Sequence, residues 1–318
     1  MIHCGDHHVG AKRYGRLVNQ FNTLINSSVD STITELYDQY MAVPQTYGTT
    51  HAIYYDTFEY LNFHEVGNFM EEKFIDDNTI NGLWLIFERQ LLCYFKRMKS
   101  HESKIPMCIN SFYMWEGLAS TKTEVDNSEY YNSNNTKRSL RRKSKTEINF
   151  DRNFEVYKQA VCNDVWTKDI VFIPYNICQL HWILFVLNFN TFEYDVWDSC
   201  NKSFKRDHAK CWKNVENYFI AKYKSDNNGA SFPFKFTKAK DTGSPGPQQP
   251  GSSNDCALYV VWNMVWLSFG LNLPSGNKAY GFISAKEYQQ AMTNCSNTLA
   301  IRKRAFAILY RGSMFTAS

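Results

Sequence analysis

Two apolar segments separated by a short polar stretch constrain the fold of this chain most strongly. Residues 182–187 and 192–197 are rich in Trp, Phe, Ile and Val, the residue types that favour β-strands. We place the centre of the intervening turn between Phe189 and Asn190, which predicts an antiparallel β-hairpin. A third apolar segment, residues 169–175, is predicted to be a buried strand that ends at its proline.

Helical patterns precede and follow these strands. The stretch after Asp76, Asp77 and Asn78, each a candidate helix cap, has apolar residues at helical spacing. They are Ile80, Leu83, Trp84, Phe87, Leu91 and Tyr94. A second predicted helix carries Trp212, Val215, Phe219 and Ile220. Further helices are predicted at 257–267, which is nearly continuously apolar, and at 300–310, which is basic. Strands flanked by helices indicate an α+β fold.

Net charge and cysteine spacing argue against several classes of protein. A net charge of +4 over 318 residues is too small to indicate nucleic acid as the main partner. No apolar run reaches the roughly eighteen residues of a membrane span, and the N-terminus lacks the apolar core of a signal peptide. The nine cysteines form no CxxC pairs, which argues against a disulfide framework or a zinc site. We therefore expect an intracellular protein, in the nucleus or the cytoplasm, without a metal or a membrane partner.

Residues 119–150 differ in composition from the rest of the chain. Ser, Thr, Asn and Lys dominate there, and residues 137–145 form a basic run. This composition predicts an exposed, flexible basic insertion. The basic run fits a nuclear localisation signal and a solvated loop equally well, and the sequence leaves both open.

The predicted hairpin brings a histidine and an acid together. Counted from the turn centre, His181 and Asp198 lie opposite each other at its open end. Directly opposed residues on antiparallel strands have Cβ atoms roughly 4.5–5.5 Å apart. At that distance the carboxylate could orient the imidazole and stabilise its protonated form. Taken alone, the pair is equally compatible with a structural histidine and a turn aspartate.

Cys256 has the setting of a reactive cysteine. It follows residues 252–255, which are all candidate helix caps, and it precedes the buried helix. The positive end of a helix favours a thiolate, and its free N–H groups can hold an oxyanion. Gln249, in the preceding loop, could donate its side-chain amide to the same oxyanion. A small apolar cysteine that begins a core helix is the structural alternative.

The residues around these three positions resemble the signatures of the Ulp/SENP cysteine proteases. The matching segments are 180–182 (Leu-His-Trp), 196–199 (Val-Trp-Asp-Ser) and 247–256, which begins Pro-Gln-Gln-Pro and ends Asn-Asp-Cys. The resemblance implies a papain-like α+β fold, related to that of the adenovirus-type proteinase, in a catalytic domain of residues 70–318. Residues 1–69 would then be an N-terminal extension of unknown role.

Enzymes of this family process and remove SUMO and related ubiquitin-like modifiers, and the resemblance implies the same activity here. Cys256, His181 and Asp198 would form a triad that cleaves after the C-terminal Gly-Gly of the modifier through a thioester. Gln249 would supply the oxyanion donor, with Gln248 as its competitor. The resemblance implies no cofactor, and we expect a monomer that binds a SUMO-type modifier and its conjugates.

The same resemblance assigns substrate contacts to three further residues. Trp182 would cover the Gly-Gly tail in a narrow tunnel, and Phe74 and Asp77 would touch the body of the modifier. Each has a structural alternative, because Trp182 could be a core aromatic, Phe74 could serve packing, and Asp77 could cap a helix.

Three departures from the family pattern indicate a divergent enzyme. Ala257 follows the nucleophile where the family has Gly, the segment from Gln249 to Cys256 is one residue longer, and Phe74 stands in place of a Trp. Three other functions therefore stay open. They are a viral or mobile-element polyprotein protease of the same fold, an acetyltransferase built on the same triad, and a module that binds a ubiquitin-like protein without cleaving it.

Overall fold

The chain forms two compact units, which are described separately below. The first comprises Met1–Pro106, Trp197–Cys200 and Gly243–Ser318, and the second Met107–Val196 and Asn201–Thr242. The computed structural model describes residues 51–54, 60–70, 73–97, 107–109, 163–177, 180–200, 207–239, 247–250, 253–272 and 298–311, with five helical positions between 31 and 39. The predicted insertion at 119–150 lies outside the described residues.

Strands and helices occur mostly in successive runs along the chain, which is the pattern of an α+β protein. In chain order they are β1 (His51–Tyr54), β2 (Tyr60–Asn62), α1 (Phe63–Met70), α2 (Asp77–Arg97), β3 (Met107–Cys108), a 3-10 helix (Asn163–Thr167), β4 (Ile170–Ile177), β5 (His181–Asn188), β6 (Glu193–Trp197), α3 (His208–Asp226), β7 (Thr237–Lys238), α4 (Cys256–Asn272) and α5 (Thr298–Arg311).

A mixed five-stranded sheet with the order β3-β4-β5-β6-β7 organises the second unit. Strands β3 and β4 are parallel, β4 and β5 are antiparallel, and β6 and β7 are parallel. Side chains of one sheet face pack with those of α3 in a common core, because alternate residues of a strand point to the same face. That core includes Val171, Ile173, Tyr175, Ile183, Phe185, Leu187, Trp212, Val215 and Phe219. Ile220, which we expected to belong to this apolar set, is 38% exposed.

The prediction that this strand ends at its proline is wrong, because β4 extends past Pro174 to Ile177. It continues beyond the proline, which pairs in register with Leu184 of β5. On the other side, β3 pairs with only Val171 and Phe172 among the described residues. At Pro174 the strand therefore has no described neighbour on that side, and the missing backbone N–H can point there without removing a ladder hydrogen bond.

The turn between β5 and β6 lies one residue later than predicted. It comprises residues 189–192, so its centre lies between Asn190 and Thr191. The Asn188 side chain stabilises it by accepting hydrogen bonds from the backbone N–H groups of Asn190 and Thr191, at 2.9 and 3.2 Å. A register counted from this centre differs from the one we used to pair a histidine with an aspartate. The position of the turn therefore does not by itself place His181 opposite Asp198.

Three predicted helices, α2, α4 and α5, pack against one another in the first unit. Helix α2 buries Ile80, Leu83, Trp84 and Phe87, four of the six positions that its spacing predicted. The side chains of the other two, Leu91 and Tyr94, lie outside the described residues. Its first turn is capped by Asp76, whose Oδ1 accepts a hydrogen bond from the Thr79 backbone N–H at 2.9 Å.

Helix α4 is apolar on every side, and the side chains from Cys256 to Trp266 are all buried, as in a helix surrounded by protein. No helix in the described part of the chain combines the length and hydrophobicity that crossing a membrane requires.

The sequence did not predict the elements before α2. Strands β1 and β2 pair in antiparallel fashion, and helix α1 follows β2 directly. Helix α1 also contacts α5, near the other end of the chain. These strands are only three and four residues long, and such short segments give too few periods for a pattern to be recognised.

Candidate active site

Cys256 is the first residue of helix α4, as the sequence predicted. The carbonyl of Asp255 accepts the first hydrogen bond of the helix, from the Tyr259 backbone N–H at 3.1 Å. Asp255 therefore occupies the N-cap position, and Cys256 lies among the backbone N–H groups of the first turn. Cys256 is 1% exposed, and Ala257 next to it is also buried.

The Asp-Ser and Gln-Gln motifs are bound to each other. Gln248 donates its side-chain Nε2 to the carbonyl of Asp198 at 2.9 Å. Gln249 donates its backbone N–H to the carbonyl of Ser199 at 3.0 Å, and Ser199 Oγ donates to Gln249 Oε1 at 2.7 Å. The Asp198 carboxylate is buried, and its Oδ1 accepts a hydrogen bond from the Cys200 backbone N–H at 2.7 Å. Hydrogen bonds thus hold both the carboxylate and the backbone carbonyl of Asp198.

Two further contacts join these motifs to the start and the body of helix α4. Gln249 Nε2 donates to the carbonyl of Ser253 at 2.7 Å, and the Ser253 N–H donates to the carbonyl of Pro250 at 2.9 Å. The rings of Trp197 and Trp266 lie 5.8 Å apart between centroids. Each glutamine amide nitrogen carries two N–H groups. Both candidate oxyanion donors are therefore oriented by a hydrogen bond from the side-chain amide.

A buried ion pair lies next to Cys256. Arg302 of α5 donates its Nε to Asp255 Oδ1 at 2.6 Å, and both side chains are almost completely buried. The same guanidinium donates to the carbonyls of Asn68, Lys73 and Asn254 at 3.3, 2.8 and 3.3 Å. One side chain thus joins α5, the end of α1, the segment before α2 and the residues before Cys256.

His181 and Trp182 begin strand β5 in the second unit. His181 pairs in register with Ile177, and Trp182 pairs with Asn176. Both are buried. Because side chains alternate along a strand, Trp182 projects from the face opposite to Ile183, which belongs to the core beneath α3.

Phe74 and Asp77, which were predicted to contact the substrate, lie in an acidic segment at the start of α2. Phe74 is 46% exposed, which is unusual for a large apolar side chain. Asp77 is the first residue of α2. Burial, and then the nearby Glu65 carboxylate, raise the pKa of Asp76 from 3.8 to about 7, against the opposing hydrogen bond from Thr79.

The structure joins several of the predicted site residues through hydrogen bonds. Asp198, Gln248, Gln249 and the loop before Cys256 belong to one hydrogen-bonded arrangement. His181 and Trp182 begin β5, Phe74 precedes α2, and Asp77 begins it. Sequence reasoning had assigned no role to Ser199 or to Arg302. Ser199 stands in a segment matched to the family and Arg302 in the predicted basic helix, but nothing in either segment indicated the groups that they would bind. Among the described residues, no group of three or more His, Cys, Asp or Glu side chains could hold a metal ion.

Comparison with known proteins places the chain in a family. The model of the C-terminal catalytic domain of the Ulp1 protease family matches residues 110–298, which is more than half of the chain. The X-ray structure of the C-terminal Ulp1 protease domain in complex with Smt3, the yeast ortholog of SUMO, is 13% identical. It matches with a TM-score of 0.52 over 91% of this chain and 99% of that one.

A structure of the SUMO protease Ulp1 with its catalytic cysteine oxidised to a sulfenic acid is 12% identical. Its TM-score is 0.51, over 92% of this chain and 99% of that one. No curated protein has a sequence that matches this chain. At such low identity the two structures show the fold, which is the predicted papain-like α+β fold, while the family model covers the sequence itself. The chain belongs to the Ulp1 protease family and is a cysteine protease.

Proposed function

We propose that this protease cleaves after the C-terminal Gly-Gly of SUMO or a related ubiquitin-like protein, with Cys256 as its nucleophile. The observation that carries the proposal is the position of Cys256 at the start of a buried helix, directly after a loop that Gln249 holds by hydrogen bonds. Backbone N–H groups at a helix start stabilise a thiolate and, later, an oxyanion.

His181 acts as the base and Asp198 orients it. Support comes from the sheet topology, since β5 and β6 are neighbours joined by a short turn. Neighbouring strands joined in this way run in opposite directions, so the first residue of β5 and the residue after β6 belong to the same end of the hairpin. A buried carboxylate that already accepts a backbone hydrogen bond is well suited to fix the tautomer of an imidazole.

The reaction follows the general scheme of cysteine proteases. His181 takes the proton of the Cys256 thiol, and the thiolate attacks the carbonyl carbon of the second Gly of Gly-Gly. The oxyanion binds the backbone N–H groups of α4 and the Gln249 amide. When it collapses, the amine leaves with the proton held by His181, and the modifier stays bound to Cys256 as a thioester. A water molecule, deprotonated by His181, then attacks the thioester and releases the modifier with a free carboxylate.

The substrate class is inferred from relatives. The similar Ulp1 domain was solved in complex with Smt3, a SUMO ortholog. In this chain the exposed ring of Phe74 offers an apolar contact for the modifier, with Asp77 as a polar contact beside it. Trp182 covers the Gly-Gly tail.

Cleavage of a SUMO precursor that carries a C-terminal extension tests the proposal. We expect the wild-type protein to release the extension, and Cys256→Ala and His181→Ala to abolish release while the circular dichroism spectrum is preserved. Cys108→Ala is the matched control, because Cys108 is a cysteine outside any disulfide and remote in sequence from the three matched segments, and it should retain the wild-type rate.

An unchanged rate for Cys256→Ala would overturn the assignment of the nucleophile. If no ubiquitin-like precursor is cut, two further readouts identify the rival functions. Cleavage of a polyprotein peptide with a Gly-containing site would indicate a polyprotein protease. Transfer of acetyl from acetyl-CoA would indicate an acetyltransferase.

A further inference from the structure

Arg302 is buried in a place where a charged side chain is costly. Its own exposure and that of Asp255 are 0% and 1%, and removing such groups from water is costly unless each is paired and hydrogen-bonded. The guanidinium meets this requirement with the Asp255 carboxylate and three backbone carbonyls. Two of these four contacts are to the residues immediately before Cys256.

The charge of Asp255 matters for its neighbour. A carboxylate next to a cysteine disfavours the thiolate, since two negative charges repel each other, most strongly where water is excluded. Asp255 directly precedes Cys256, and both are buried. A cation 2.6 Å from that carboxylate offsets its charge. The helix start then keeps its preference for an anion at Cys256.

We propose that Arg302 is a positioning residue that acts on Cys256 through Asp255. It fixes the N-cap of α4 by binding the carboxylate of Asp255 and the carbonyl of Asn254, and it balances the charge of Asp255 so that the Cys256 thiolate is not destabilised. The catalytic meaning of this arrangement rests on the proposed role of Cys256 as nucleophile. The electrostatic effect can be measured without any protein substrate.

The experiment follows the alkylation of Cys256 by iodoacetamide as a function of pH, in the full-length folded protein. Trypsin releases residues 241–278 as a peptide that contains no other cysteine, so mass spectrometry reports Cys256 alone. The measured quantity is the pH at which the alkylation rate is half its maximum. This midpoint reports the thiolate population, whereas limited access to a buried thiol lowers the rate at every pH.

The two partners of the ion pair should shift the midpoint in opposite directions. Arg302→Gln leaves the carboxylate of Asp255 without its cation, and the midpoint should rise by about one pH unit. Asp255→Asn keeps an oxygen that accepts from Arg302 Nε but leaves the positive charge unbalanced, and the midpoint should fall by about the same amount. Arg302→Lys keeps the charge but loses the planar fork of donors, so its midpoint should stay near that of the wild type while its melting temperature falls.

A purely structural role predicts a different pattern. Removing either partner would then lower the melting temperature and leave the midpoint unchanged, or shift it in the same direction in both variants, and either result overturns the proposal. If Arg302→Gln does not fold, the isosteric Asp255→Asn decides alone, and a midpoint that rises or stays constant is contrary to the proposal. Opposite shifts in a protein that cleaves no modifier would uphold the electrostatic role and reject the proposed substrate.

Discussion

Asp76 should make the folded protein less stable as the pH rises, and Asp76→Asn should remove that effect. Burial and the Glu65 carboxylate raise the pKa of Asp76 to about 7 in the folded protein, from an ordinary value of 3.8. Between these two values the folded state holds a proton that the unfolded chain has released. The free energy of unfolding therefore falls as the pH rises through this window, and the contribution is lost above about pH 7.

The size of the effect follows from the two pKa values. A tenfold change in a protonation equilibrium corresponds to about 1.4 kcal/mol, so 3.8 against about 7 sets an upper limit of about 4 kcal/mol. Because Asp76 is partly exposed, solvent screening reduces this to roughly 2 kcal/mol. Asparagine is neutral at every pH and can still accept the hydrogen bond from the Thr79 N–H. The variant should thus match the wild type below pH 4 and exceed it increasingly up to about pH 7.

Urea unfolding at a series of pH values between about 4 and 8 measures this difference. The contributions of other titrating groups to the unfolding free energy largely cancel when the two proteins are compared at the same pH. The control repeats the comparison in a Glu65→Gln background, which removes the neighbouring charge and keeps an acceptor for the Asn78 side chain. In that background the excess unfolding free energy of Asp76→Asn over its parent protein should vary less with pH. A gain that is constant from pH 4 to pH 8 would show that Asp76 is ionised throughout, and would refute the reasoning.

Three further substitutions test the oxyanion site and the core. Gln249→Ala should lower kcat about 100-fold with a smaller change in KM, and Gln248→Ala less than about 10-fold; the reverse order in steady-state kinetics would assign the oxyanion donor to Gln248. Phe87→Ala should cost about 3–5 kcal/mol of unfolding free energy in urea, because its ring is fully buried in α2; a loss below about 1 kcal/mol would contradict the observed packing.

Local patterns in the sequence predicted the elements that carry the site. Helical spacing identified α2 and the buried side of it, and a run of cap residues followed by an apolar segment placed Cys256 at the start of α4. These predictions succeeded because each depends on neighbours within one or two turns of the same element. The fold class followed from the order of such elements.

Other features depend on partners that are distant along the chain. Pro174 was taken to end a strand, because the sequence does not reveal that β4 continues to pair with β5 through the proline. The hairpin turn was centred one residue too early, since the Asn188 side chain extends it. Arg302 binds Asp255 and Asn68, which are 47 and 234 residues away, and no local pattern indicates such contacts.

The identity of the nucleophile is tested most directly by trapping it. A SUMO-type modifier with a C-terminal electrophile, offered beside a ubiquitin equivalent, should form a covalent adduct with the wild-type protein and none with Cys256→Ala. Peptide mapping should place the adduct within residues 241–278, where Cys256 is the sole cysteine. An adduct on a different cysteine, or no adduct with any ubiquitin-like probe on a folded protein, would contradict the account.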